Sequence, residues 1–329
     1  MCRNLRYLIV LGLAWLGPSQ PASAAPGAQS ETGPTAERRI AVTVDDLPVI
    51  STTADAAVWA DVTARLVETF RKNEIPAIGF VNETKLASNG GDPDPVRVAL
   101  LGRWLEAGLE LGNHGFAHLD LHRVPAAEFE ADVLRGERVL RPLLARRGLE
   151  PRFFRHPYLH TGTDLETRDR VATFLEGHGY RVAPVTVDNS DWIFARAYDH
   201  ALDRGDEAAA TRVVEAYGPY MEAMVAFYED QSRAILGREI PLVLLVHANR
   251  LNAAGFDDVA RRLRTRGYTF VSLDDAVADP AYTSEDRYVG RGGISWLHRW
   301  AITRGVAPST FRGEPTTPEW VQELAGISE

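Results

Sequence analysis

Apart from Cys2, at the extreme N-terminus, the 329-residue chain contains no cysteine. That excludes a disulfide framework and any metal site built on thiolates, so a metal would have to be held by histidine, aspartate or glutamate. No G-x-S-x-G and no H-E-x-x-H sequence occurs, which removes the signatures of nucleophile-elbow hydrolases and of metalloproteases with a Glu base. Basic charge is also in deficit, with 36 Lys and Arg against 45 Asp and Glu and a formal net charge of −9. Nucleic acid is therefore not expected as a partner. There is no internal repeat and no long low-complexity tract.

What is present begins with Arg3 and Arg6, an apolar segment from Tyr7 to Leu16, and the small residues Ala22-Ser23-Ala24. This is the three-part pattern of a secretory signal, and its apolar part is too short to span a bilayer. Cleavage is expected after Ala24, giving a protein exported to a periplasm or the exterior, with no membrane insertion afterwards. Without the two arginines the formal charge becomes −11. Residues 25–38, rich in Ala, Pro, Gly and polar side chains, read as a flexible leader.

From Arg39 onwards short β-branched or apolar runs alternate with helical patterns. "RIAVTVDD", "IPAIGFV", "LELGNH", "RFFRHPY", "YRVAPVTVD", "IPLVLLVHA" and "YTFVSL" read as strands. Between them lie segments such as "ADAAVWADVTARLVETFRKN", with Val58, Val62, Leu66 and Phe70 at helical spacing, and "PAAEFEADVLRGERVLRPLLARRG". Strands separated by helices imply parallel pairing, hence an α/β fold, either barrel or doubly wound. Two segments stand outside the alternation: residues 193–240, helical from about Glu207 to Leu236, and a tail from Ala281 to the end.

In parallel α/β folds, catalytic groups collect at the C-terminal ends of strands. Asp45 and Asp46, His114 and His118, Arg155, Asp188 and Asp191, and His247 all fall at such ends. Each has an ordinary explanation alone: a cap or turn for the Asp pair, a surface pair for the histidines, an ion pair for Arg155, a core residue for His247. Together they suit one chemistry. Asp46, His114 and His118 supply one carboxylate and two imidazoles for a borderline cation that activates water and polarises a carbonyl. The spacing of the histidines can place both on one helical face. Adjacent residues on an extended segment point in different directions, so Asp45 is left free to act as general base.

These residues resemble the polysaccharide deacetylase family, the NodB-homology or carbohydrate esterase family 4 group, over roughly residues 39–275. "TVDD" resembles its T-F-D-D motif and "HGFAH" its H-S/T-x-x-H motif; "RHPY" resembles R-x-P-Y/F, "DNSDW" D-x-x-D-W, and "LLVH" L-x-H. The resemblance implies a deformed (β/α)7-type barrel spanning residues 39–280, with a helical insertion at 193–240 and a C-terminal extension at 281–329. It further implies hydrolysis of acetyl groups on N-acetylated sugars, chitin-like or peptidoglycan, using zinc or, alternatively, cobalt or nickel. By the same resemblance Asp45 is the base and Asp46, His114 and His118 are metal ligands. Arg155 orients Asp45, the Tyr158 N–H stabilises the oxyanion, and His247 is the general acid positioned by Asp191. Trp192 and Leu245 form the acetyl pocket. Two other functions are compatible with these residues: removal of O-acetyl groups from a xylan-type polysaccharide, and non-catalytic carbohydrate binding.

Four departures from the family pattern are Val44 for Phe, Gly115 for the Ser or Thr that braces the metal loop, His156 for Pro, and Leu47-Pro48 for Gly-Pro. At Gly115 the brace must come from elsewhere or the metal be held more weakly. The 193–240 segment either walls one end of the groove or adds only packing. Trp296 and Trp300, four apart, are expected to cap the barrel rather than stack on sugars.

Overall fold

Seven parallel strands are hydrogen-bonded in the order β5-β4-β3-β2-β1-β6, with β7 also pairing β1. They are β1 (Arg38–Leu47), β2 (Ile78–Val81), β3 (Glu110–Asn113), β4 (Phe153–Phe154), β5 (Arg181–Val182), β6 (Leu242–His247) and β7 (Tyr268–Phe270). The computed structural model describes residues 37–87 and 91–327; the expected signal segment and nearly all of the leader lie outside them. Beyond β5 the chain runs on to Thr186 and Val187, whose N–H groups donate to the Val243 carbonyl of β6 at 3.0 and 2.9 Å. The sheet therefore curls until its two edges meet, as a deformed barrel of the expected (β/α)7 type.

The helices are α1 (Ala56–Lys72), α2 (Pro95–Glu106), α3 (Ala126–Arg135), α4 (Leu140–Ala145), α5 (Leu165–Gly177), α6 (Asp191–Asp203), α7 (Glu207–Leu236), α8 (Arg250–Thr265), α9 (Leu273–Val277), α10 (Trp296–Thr303) and α11 (Glu319–Ala325). Local chemistry sets their ends. Asp55 accepts from Ala57 N at 2.8 Å to start α1, and Trp59, Val62, Leu66 and Phe70 make its buried stripe. Asp206 caps α7 at Ala209 N, and Gly237, at φ 74°, ends it in the left-handed conformation.

Three expectations need correction. The single helix expected over 125–148 is two, α3 and α4, because Gly136 ends the first and residues 137–139 turn before the second begins. "RFFRHPY" and "YRVAPVTVD" pair regularly over only two residues each. Pro157 and Pro184 have no N–H to donate to a ladder, so those strands stop early. The histidines of "HGFAH" lie in the irregular loop after β3, not on a helix.

The C-terminal segment belongs to the core. Trp296, Leu297, Trp300, Val321 and Ala325 are buried, Trp296 N donates to Val185 O at 2.7 Å, and Ser295 Oγ donates to Thr186 O at 2.8 Å. Trp296 and Trp300 thus pack, as expected, rather than face a groove. Each large apolar side chain contributes about 1.5–3 kcal/mol on burial. Truncation after Asp279 is expected to leave no soluble, cooperatively melting protein. Recovery of a folded truncation with an unchanged melting temperature would show the segment to be dispensable.

Candidate active site

The ends of β1, β2, β3 and β6 and the turn after β4 converge on a cavity of about 670 Å³. Its wall includes Asp45, Asp46, His114, His118, Tyr158, Trp192, Leu245 and His247, so eight of the ten residues singled out in the sequence meet in one place. The remaining two, Arg155 and Asp191, are fully buried behind it and reach it through Asp45 and His247.

Strict alternation along a strand would send Asp45 and Asp46 to opposite faces. Both line the cavity because the β1–β2 register shifts between Val44 and Leu47, and Asp46 takes the left-handed conformation at φ 68°. The expected divergence on a regular extended segment is therefore replaced by an irregularity that aims both carboxylates into one space. His118, at φ 54°, and Tyr158, at φ 57°, share this conformation. For such residues it costs about 1–3 kcal/mol each, and it is tolerated where function requires the placement.

The second carboxylate and the two histidines form a group that can hold a cation. One ligand atom from each of Asp46, His114 and His118 can be chosen so that all lie within 4.8 Å of one another. His114 Nδ1–H donates to the Arg155 carbonyl at 2.7 Å. A carbonyl only accepts, so Nδ1 carries the proton and Nε2 is left with its lone pair. Asp46 Oδ1 is buried with no hydrogen-bond partner. Burial holds His114 and His118 down to about 4, the neutral form that ligates. For Asp46, burial opposes ionisation but is outweighed by Lys85 and the histidines, lowering it to about 2. An orphaned carboxylate oxygen facing two neutral imidazoles fits a divalent ion of the zinc type.

Asp45 sits differently. Burial pushes its carboxyl up, against the lowering influence of Arg155 and His247. Arg155 is immobilised by three contacts: Nε donates to Ala183 O at 3.0 Å, Nη2 to Thr43 Oγ1 at 2.9 Å, and Nη1 to Asp45 Oδ2 at 3.4 Å. In the β1–β6 register Asp45 is paired directly with His247. His247 Nδ1–H donates to Asp191 Oδ1 at 2.7 Å, while Asp191 Oδ2 accepts from His247 N and from Asn252 Nδ2, both at 2.9 Å. Burial lowers the His247 pKa, but Asp191, with Asp46 and Asp45 adding to it, more than reverses this and raises it to about 9.

Gly115 is where the metal loop was expected to lack its brace. It has φ 78°, and a Cβ there would lie 2.8 Å from Asp132 Oδ2. The space belongs to Asp132, a buried acid on the apolar face of α3, which accepts from Phe116 N at 3.0 Å and from Ala117 N at 3.0 and 3.1 Å. Asn113 Oδ1 accepts from Gly115 N at 2.8 Å. The brace is thus supplied from outside the motif. Asp132 has a sequence signal, since it shares the buried stripe of α3 with Phe129 and Val133. Asp132→Ala strands the Ala117 amide at about 1–3 kcal/mol, leaving Phe116 N only the Asp132 carbonyl at 3.2 Å, and is expected to weaken metal binding about 10–100-fold. Unchanged affinity by titration calorimetry would remove this role.

Three other residues contribute, of which only Thr43, the first residue of "TVDD", lay in a motif. Thr43 Oγ donates to Leu244 O at 2.8 Å while receiving Arg155. Lys85 Nζ lies 3.9 Å from Asp46 Oδ1. Gly293, from the C-terminal segment, lies so close to the Tyr158 carbonyl that a Cβ would fall 1.8 Å from it. Leu245 is buried and Trp192 is 49% exposed, giving the cavity one closed and one open apolar wall.

Residues 32–183 match the family model described as polysaccharide deacetylase. Over that stretch the chain is similar to polysaccharide deacetylases. It is 22% identical over 238 residues to the peptidoglycan-N-acetylglucosamine deacetylase of Listeria monocytogenes serotype 1/2a, an alignment covering 72% of this chain and 38% of that one. The chain thus spans about two fifths of the length of the curated relatives it matches. Among solved structures it is similar to a family 4 carbohydrate esterase from Streptomyces lividans in complex with acetate, with TM-score 0.45 and 21% identity over 73% of this chain and 95% of that one. It is also similar to a peptidoglycan deacetylase from Bacillus subtilis, with TM-score 0.46 and 19% identity over 75% and 95%. A carbohydrate esterase family 4 pseudoenzyme from Bacillus anthracis gives TM-score 0.47 and 15% identity over 74% and 66%.

Proposed function

We propose that this protein is an exported, metal-dependent hydrolase that removes N-acetyl groups from amino-sugar polymers or oligomers. The observation that carries this reading is the pairing of opposite roles across the cavity. Asp45, buried against Arg155, is placed to take a proton, and His247, raised to about 9 by Asp191, is placed to give one. An amide needs both, because its nitrogen is a poor leaving group until protonated. An ester does not, so the retained acid favours amide over ester cleavage. Export rests on the N-terminal signal pattern.

Asp46, His114 and His118 would hold the ion. When bound, a divalent ion such as zinc supplies Lewis acidity, lowering the pKa of a water molecule and polarising the acetyl carbonyl. Asp45 removes a proton from the attacking water, while Arg155 fixes the carboxylate's position. The Tyr158 N–H, on a turn pressed by Gly293, donates to the oxyanion that develops on the carbonyl oxygen. His247 then protonates the departing amine, and Asp191 stabilises the imidazolium until that transfer. Leu245 and Trp192 receive the acetyl methyl.

The cavity continues past Asp188, Asn189 and Trp192 into a second hollow of about 350 Å³, walled by Tyr220 and Met224 of α7 and by Glu314–Thr316. The 193–240 insertion and the C-terminal segment therefore close one end, which suits a chain end or a short oligomer. The test is acetate release from N-acetylglucosamine oligomers, peptidoglycan and acetylated xylan, after chelation and after adding back zinc. Zinc-restored release from the amino sugars, rising with oligomer length to a plateau, is the expected result. Release from xylan alone would replace it with an esterase, and no release from any of them by folded, zinc-loaded protein would leave a binding protein.

A further inference from the structure

We propose that Asp120, His122 and His160 form a second divalent-cation site, separate from the Asp46, His114 and His118 cluster. A ligand atom from each of the three can be chosen so that all lie within 4.8 Å of one another. They come from two loops: Asp120 and His122 from the segment after β3, and His160 from the turn after β4. Asp120 Oδ1 accepts from the His160 ring at Nδ1, 2.7 Å away, and from the His122 backbone N–H at 2.9 Å, which fixes the carboxylate against both residues. The rings of His122 and His160 lie face to face, 3.8 Å apart and 6° from parallel.

His122 gives the cluster its direction. Both of its ring nitrogens are shielded from water and neither has a well-formed hydrogen-bond partner, the Arg291 backbone offering only a loose one. A half-buried imidazole held so loosely is open to a better ligand. The competing cation, Arg123, is 3.3 Å from Asp120 Oδ2 but highly exposed and free to swing away. Rotation of His122 about its side-chain bonds turns the stack into a convergent set with Asp120 and His160. Two nitrogens and one carboxylate select a borderline ion such as zinc, cobalt, nickel or copper over magnesium or calcium.

The site's position gives it a purpose. Tyr158 stands between the two clusters, its ring 4.6 Å from His118 and 5.7 Å from His160. An ion on Asp120, His122 and His160 would staple the loop carrying the first cluster to the turn carrying Tyr158.

Zinc titration calorimetry on the full chain carrying Asp46→Ala and His114→Ala isolates this site. One ion per chain is expected there, against two in the parent chain, and adding His122→Gln and His160→Gln should weaken the remaining binding at least 100-fold. No binding to the Asp46→Ala/His114→Ala chain, or binding indifferent to the two glutamines, would overturn the proposal. Should that chain not fold, counting zinc per molecule in the parent and in His122→Gln/His160→Gln decides the matter: two against one supports the site, and equal counts refute it. The catalytic ligands are absent from the isolating variant, so its result is independent of the deacetylase reading.

Discussion

Asp45→Asn is expected to lower acetate release by about 10²–10⁴-fold, the usual contribution of a general base, while zinc still binds with one-to-one stoichiometry at Asp46, His114 and His118. The change preserves shape and removes only the ability to accept a proton. Its neighbours argue for a clean outcome, because Arg155 keeps Ala183 O and Thr43 Oγ as partners. Stability gives a second readout with a definite sign. The folded-state pKa of Asp45 is raised, burial outweighing Arg155, so the folded chain binds this proton more tightly than the unfolded one. Ionising Asp45 therefore lowers stability progressively as pH rises above the ordinary carboxylate range. Asparagine avoids that cost, so in chelated protein at neutral pH the variant should melt no lower than the parent. Retained turnover would move the base elsewhere; lost turnover with lost zinc would make Asp45 a ligand rather than a base.

The residues proposed to do chemistry were legible because each lies in, at or beyond the end of an apolar strand run, visible as the point where a β-branched run meets polar groups. Asp45, Asp46, His114, His118, Arg155, Asp191 and His247 were all found that way. The devices that hold them were harder to see. The bulge that turns Asp46 toward Asp45 depends on the β1–β2 register shift between Val44 and Leu47, a property of two strands that neither shows alone. Asp132 serves loop amides 15 and 16 residues upstream, and only its place on the apolar stripe of α3 betrays it. Gly115 looked like a missing brace because the motif was read in isolation, whereas the Asp132 carboxylate occupies the space a Cβ would need. The short strands β4 and β5 were overestimated for a related reason. Apolar runs mark burial, but regular pairing also needs successive N–H donors, and prolines interrupt these.

Asp191→Asn should be nearly as damaging as loss of the base, and its signature lies in the pH profile. Asp191 Oδ1 receives the His247 Nδ1–H while Oδ2 receives two further N–H groups. An amide can satisfy only one of those sides, since its nitrogen must face a donor on the other. The largest of the negative charges that raise His247 to about 9 is lost as well, leaving burial, opposed only by Asp46 and Asp45, to press the imidazole down toward its ordinary 6.5. The acid would then be deprotonated at neutral pH, so kcat at pH 8 is expected to fall about 10²–10⁴-fold, with the alkaline limb moving from near pH 9 to near or below neutrality. Linkage gives the matching stability result. Because the folded pKa of His247 lies above the unfolded value, its pairing with Asp191 contributes fully below about pH 6.5 and is lost as pH rises through about 9. The melting-temperature gap between parent and variant should therefore be widest in mild acid and narrow toward pH 10. A uniform loss of rate with the alkaline limb unmoved would reduce Asp191 to a structural cap on Asn252 and the His247 backbone, and the general acid would have to be sought at another residue of the cavity wall.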